Sequence, residues 1–91
     1  MKVVWTTTAL RRAADIASTL GADDSAQARE FVNELFSKVE ALSGFPRMGR
    51  EVPEVGKPHV REIFVRSCRV VYVVHRSQIS IRTIRHTRER R

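Results

Sequence analysis

The chain carries a single cysteine, Cys68, so neither an internal disulfide framework nor a cysteine-cluster zinc site can hold it together. Aromatic residues are 7% of the total, and only Trp5, Phe64 and Tyr72 fall in strand-like segments. That is too sparse for the row of stacking rings of a sheet-type RNA-recognition module, and Tyr72 reads as packing rather than as a base platform. No run approaches the ~18 consecutive apolar residues of a membrane span, and Met1-Lys2-Val3-Val4-Trp5 is too short for the apolar core of a signal peptide. A cytoplasmic protein with no membrane partner is the expectation. Also missing are a glycine-rich phosphate loop, metal-ligand spacing and a Ser/His/Asp grouping, so neither a cofactor nor a metal is expected. Cys68 has no neighbouring signal that would make it a nucleophile.

Length sets a further bound. Ninety-one residues suffice for one domain, 1–91, and not for two. A chain this small hides roughly 60–65% of the surface its unfolded form exposes, so a partner is expected to add to its stability.

Acidic residues are scarce in one region only. From Met1 to Gly56 there are seven basic and eight acidic residues, net −1; from Lys57 to Arg91 there are ten basic residues against Glu62 and Glu89, net +8. The whole excess of +7 therefore sits in the last third, and 14 of the 17 basic residues are arginine, the planar cation suited to phosphate and carboxylate. Such asymmetry points to a polyanionic partner, either nucleic acid or an acidic protein face.

Hydrophobic periodicity supplies the elements. Lys2-Val3-Val4-Trp5 is β-prone, and the threonines at 6–8 can cap a helix that begins near Ala9. Leu10, Ala13, Ala14, Ala17 and Leu20 form its apolar stripe, and Gly21 ends it. A second helix opens at Asp23-Asp24-Ser25, with Asp24 and Gln27 spaced as a capping box. Its stripe is Ala28, Phe31, Leu35, Val39 and Leu42, widened by Val32 and Phe36, and Glu34 pairs with Lys38 across one turn. Gly44 and Pro46 stop it, and Phe31, Phe36 and Phe45 read as core. Phe45 to Pro58 holds so many breakers that it reads as an ordered loop. Val60–Val65, Arg69–His75 and Gln78–Arg85 then form an antiparallel meander through tight links at Arg66-Ser67-Cys68 and Arg76-Ser77. With the N-terminal run paired to it, the order is β-α-α-β-β-β. This is an α+β domain, with a helical hairpin on one face of a small antiparallel sheet of four strands.

Strand alternation sorts the side chains by face. Val70, Tyr72 and Val74 point one way, and Arg69, Val71, Val73 and His75 the other; Ile79, Ile81, Thr83 and Arg85 share one face, and Ser80, Arg82, Ile84 and His86 its opposite. A helix pair covers one side only, which leaves a mixed apolar and arginine surface. Arg61, Arg69, Arg82 and Arg85-His86-Thr87-Arg88 are the candidate site residues: converging arginines bind a phosphodiester, and a histidine moves a proton near neutral pH. The plainer alternative is that the arginines are solvated or pair with Glu62 and Glu89, and that the last residues are a soluble tail.

Trp5 with the Ala9-Leu10 helix start, Phe45-Pro46-Arg47-Met48-Gly49-Arg50 before Pro53-Glu54, Val60-Arg61-Glu62-Ile63, Arg69-Val70-Val71-Tyr72-Val73-Val74 and Ile84-Arg85-His86 together resemble the RelE/ParE toxin superfamily. The resemblance spans nearly the whole chain. It implies the toxin of a type II toxin–antitoxin pair, held inactive by a protein antitoxin. That antitoxin would be ParD-like, with an acidic amphipathic segment across the toxin and a ribbon-helix-helix or similar half on operator DNA. RelE-like members cut mRNA on the ribosome, and ParE-like members inhibit DNA gyrase.

The sequence is more similar to ParE. The RelE nuclease pattern has two lysines on the second strand, where Arg61 and Ile63 stand here, and a late tyrosine, which is missing; Arg69 and Arg88 match its arginine positions. Each lost proton-transfer group removes on the order of 10²–10⁴-fold in rate. Gyrase is thus the expected target, bound through Arg69, Arg82, Arg85, His86 and Arg88 without catalysis. The alternative is a metal-independent mRNA endoribonuclease using Arg61, Arg69, His86 and Arg88. A further nuclease branch uses a glutamate, the third-strand arginine and a terminal histidine, for which Glu51 or Glu54, Arg69 and His86 are the counterparts.

Overall fold

The computed structural model describes residues 1–87, and its elements run β1 (Lys2–Trp5), α1 (Thr7–Gly21), α2 (Ser25–Glu40), a 3-10 turn (Ala41–Ser43), β2 (Arg50–Glu51), β3 (Val60–Val65), β4 (Cys68–Val74) and β5 (Gln78–His86). Arg88 and the rest of the C-terminal tail lie outside the described residues.

Both helices begin where a side chain satisfies an orphan amide. The Thr6 hydroxyl accepts from Ala9 N, which starts α1 two residues ahead of Ala9, and Asp24 accepts from Ala26 N at the head of α2. The Thr6 hydroxyl also donates to Ile81 O at 2.8 Å, so the cap ties α1 to β5. That anchor rotates α1 from the expected stripe. Ala9 and Ala13 are buried with Ile16, Ala17 and Leu20 packed beside them, whereas Leu10 is 48% exposed and Ala14 exposed. Small side chains let the helix lie close to the sheet, and Arg12 Nε donates to Ile84 O at 2.8 Å across the same seam.

The α2 stripe lies as its periodicity implies: Phe31, Leu35, Val39 and, in the 3-10 turn, Leu42 are buried. Each contributes about 1.5–3 kcal/mol by leaving water. Of the three phenylalanines expected in the core, only Phe31 is there. Phe36 is 36% exposed and tilts against Trp5 with ring centroids 4.7 Å apart, and Phe45 is 70% exposed on the loop after the 3-10 turn.

The sheet has five strands in the order β1-β5-β4-β3-β2. It is mixed rather than purely antiparallel, because β1 runs parallel to β5 with Val3 opposite Ile79. The helical hairpin between them returns the chain to the far side of the meander, which is the crossover that a parallel neighbour requires. The fifth strand, β2, is a two-residue pairing of Arg50 with Glu62 and Glu51 with Arg61 inside the expected loop. So short a pairing has no periodicity of its own and exists only because β3 presents an edge to it.

Cys68 belongs to β4 rather than to a hairpin link, and is buried opposite Val65. The link is Arg66-Ser67, with Arg66 in the left-handed region at φ 54°. Arg66 also reaches back to α2 through Glu34 at 3.0 Å, and this hydrogen bond, more than the neighbouring Lys38, holds the Glu34 carboxyl below its ordinary range.

A bulge changes the facing of β5. Val71 pairs with Thr83 but Tyr72 with Ile81, so Arg82 is the extra residue and the alternation inverts beyond it. Ile79, Ile81 and Ile84 all face the helices and are fully buried. Arg85 therefore leaves the face expected for it and stands opposite Arg69, and His86 stands opposite Cys68.

Candidate functional site: an arginine-lined depression on the open sheet face

Three features bring the site together: the register of β3, β4 and β5, the bulge, and the loop of residues 44–59. On the face away from the helices, Phe64 is opposite Arg69 and Arg69 opposite Arg85, while Arg50 pairs with Glu62 in the neighbouring row. Arg50, Glu54, Phe64, Arg69, Arg85, His86 and Thr87 line a depression of about 250 Å³ there.

Glu62 is the anchor of this cluster. Its side chain is wholly buried, Arg50 Nε donates to its Oε2 at 2.5 Å, and Arg69 Nη1 stands 3.2 Å from its Oε1. The Arg69 contact is ionic without hydrogen-bond alignment, and Oε1 accepts no hydrogen bond among the described residues. Arg69 spends its aligned donor on Glu54 Oε2 at 3.0 Å, which brings the loop over the sheet. The Arg50 guanidinium lies 5.5 Å from the centre of the Phe64 ring, a cation–π contact that forms the wall between the two.

The two carboxylates thus serve Arg50 and Arg69. Arg85 is exposed, and among the described residues no carboxylate pairs with it. Like charges directly opposite on neighbouring strands destabilise a sheet, so an anion that bridges Arg69 and Arg85 would convert a repulsion into two attractions.

The remaining candidates are elsewhere. Arg82, on the bulge, does not line the depression. Arg61 is opposite Tyr72 on the helix side, and its guanidinium is spent on the loop, donating to Pro58 O and Gly49 O at 2.8 Å each. Its side chain is only 14% exposed, and Glu51 stands 4.0 Å away. Glu54, Arg69 and His86 do share the depression, whereas Glu51 does not line it. Sequence reasoning missed Arg50 and Phe64 as walls. The available signal was the lone carboxylate of β3, Glu62, on the same strand face as Phe64, which demands cations around it once buried.

Tyr72 positions the loop that carries Arg50. Fully buried, it donates its hydroxyl to Pro46 O at 2.8 Å and accepts from Gly49 N at 2.9 Å. Burial raises its pKa above the ordinary tyrosine value, against the smaller opposing pulls of the Gly49 amide and the Arg61 charge. Gly49 has no alternative there: a Cβ would fall 2.4 Å from Glu62 O and 2.7 Å from the Tyr72 hydroxyl.

One similar structure is described as the chromosomal ParDE TA system from P. aeruginosa, with a TM-score of 0.77 and 20% identity over 94% of this chain and 95% of that one. The sequence profile of the ParE toxin of the type II toxin–antitoxin system parDE matches residues 3–91, and the chain belongs to that family. Among curated proteins none matches the sequence significantly. None of the described helices is long and apolar enough to cross a membrane.

Proposed function

We propose that this ParE-family toxin arrests growth by binding DNA gyrase through the arginine depression, and that a ParD-like antitoxin holds it inactive. The carrying observation is the Arg69–Arg85 register pair on the open face, where Glu54 and Glu62 both stand against Arg69 and, among the described residues, no carboxylate pairs with Arg85. Such a surface suits an anion supplied by a target protein or by its DNA, and needs no proton transfer. The Arg61-based nuclease set is disfavoured, because Arg61 faces the helices and is consumed by the loop.

The test is a supercoiling assay with purified gyrase and antitoxin-free toxin. Lost supercoiling with trapped cleaved DNA, relieved by the antitoxin, supports the proposal. Full gyrase activity at large toxin excess refutes it. One observation favours a second reading: Glu54, Arg69 and His86 meet in the same depression. Arg69 would offset the charge of a pentacoordinate phosphate while Glu54 and His86 exchange protons. Transcripts left intact by the toxin in a translating extract would remove that reading.

A further inference from the structure

The loop that Tyr72 fastens carries apolar side chains that the fold leaves in water. Phe45 is 70% exposed and Met48 52%, and together with Pro46 and Val74 they line a groove of about 970 Å³. An aromatic ring and an adaptable thioether held out into solvent side by side on an anchored loop fit a contact site better than scattered surface residues. The charges on the rim are of one sign. Arg47 and Arg76 border the groove, both exposed, and among the described residues no acidic side chain lines it.

We infer that this groove is where the antitoxin's apolar anchor residues dock, on a segment whose flanking side chains are acidic; the inference rests on the antitoxin partnership proposed above. Charge decides among the possible occupants. A second copy would bring a net charge of +7 and the same basic rim against this one. Nucleic acid would gain nothing from Phe45 and Met48, since its backbone calls for cations and its bases for flat stacking partners in register. An acidic amphipathic segment satisfies both the apolar floor and the basic rim.

The groove and the arginine depression share no lining residue. Antitoxin grip and toxic contact are therefore separable by mutation. Antitoxin affinity is measured by calorimetry on the full-length toxin and on Phe45→Asp, Met48→Asp and the pair Arg47→Glu with Arg76→Glu. Leu10→Asp, on the exposed side of α1, serves as control. The apolar variants are expected to weaken antitoxin binding at least ~30-fold, and the charge pair to slow association and flatten its salt dependence. Each should inhibit gyrase as the parent does while escaping relief by the antitoxin. Antitoxin affinity within about twofold of the parent for both apolar variants would overturn the inference. So would self-association of the free toxin that Phe45→Asp abolishes with antitoxin affinity unchanged. If the parent toxin binds no antitoxin, the partnership itself fails, whereas loss confined to the groove variants bears on the docking site alone.

Discussion

Replacing Tyr72 by phenylalanine removes one oxygen from the middle of the molecule and tests how the functional loop is held. The ring remains to fill its buried site, so no cavity term enters. What is lost is a donor to Pro46 O at 2.8 Å and an acceptor for Gly49 N at 2.9 Å. Each bond contributes roughly 0.5–1.5 kcal/mol net, and an amide left buried and unpaired adds roughly 1–3 kcal/mol. Gly49 is buried, and a Cβ added there would already clash with Glu62 O and the Tyr72 hydroxyl, which leaves little room for water beside it. Some restraint survives, because Arg61 still donates to Gly49 O. The expected loss is therefore about 2–3 kcal/mol, which for a domain of this size lowers Tm by about 10–20 °C. Urea unfolding with Trp5 fluorescence measures the stability, and hydrogen exchange at Gly49 measures the local release. The loop also presents Phe45 and Met48, so antitoxin affinity should fall with it. Stability within about 0.5 kcal/mol of the parent, with the Gly49 amide as protected as before, would refute the account of the loop as pinned by this hydroxyl.

Other consequences follow from the same geometry. Gly49→Ala places a Cβ 2.4 Å from a backbone oxygen that cannot rotate away, and should cost about 1–3 kcal/mol or more, read as a lowered urea midpoint. Arg85→Glu replaces a like-charge register pair with an opposite one; stability should hold or rise by about 0.2–1 kcal/mol while gyrase inhibition is lost, and a destabilised variant that still inhibits would contradict both halves. Tyr72 is the only tyrosine, so its ionisation is visible alone in the ultraviolet. Its folded pKa is raised, so the associated stability is complete below the ordinary tyrosine value near ~10 and is lost as pH climbs from there through the folded value. The expected titration midpoint lies above that of free tyrosine and coincides with unfolding; an ordinary midpoint in the folded protein would show the hydroxyl to be solvated.

Much of the architecture was legible before the fold was known. Strand β3 runs Val60–Val65 as its composition implies, and the Phe31-Leu35-Val39-Leu42 stripe buries as its spacing implies. The errors have local causes. Arg85 changed face because a bulge at Arg82 leaves no mark in a run of alternating residues. Phe45 was placed in the core on hydrophobicity alone, yet Tyr72 fastens the backbone of its loop through Pro46 O and leaves the ring 70% exposed. The parallel β1 was out of reach because strand direction is set by what the intervening helices do in space.

The candidate site divides in the same way. Composition and position alone determined that the last third is basic, that arginine is its cation, that a single cysteine can form neither an internal disulfide nor a cysteine-cluster zinc site, and that two amphipathic helices precede a meander. These depend on residue type and short-range period, which a linear chain carries directly. Which arginines meet was decided by the tertiary structure: Arg69 with Arg85 in the depression, Arg61 withdrawn to the loop, and Arg82 displaced onto the bulge. Register, bulge placement and the anchoring of a loop across 23 residues by one hydroxyl are long-range pairings. Their free energy exists only after the chain has closed on itself, so no local stretch of residues encodes it.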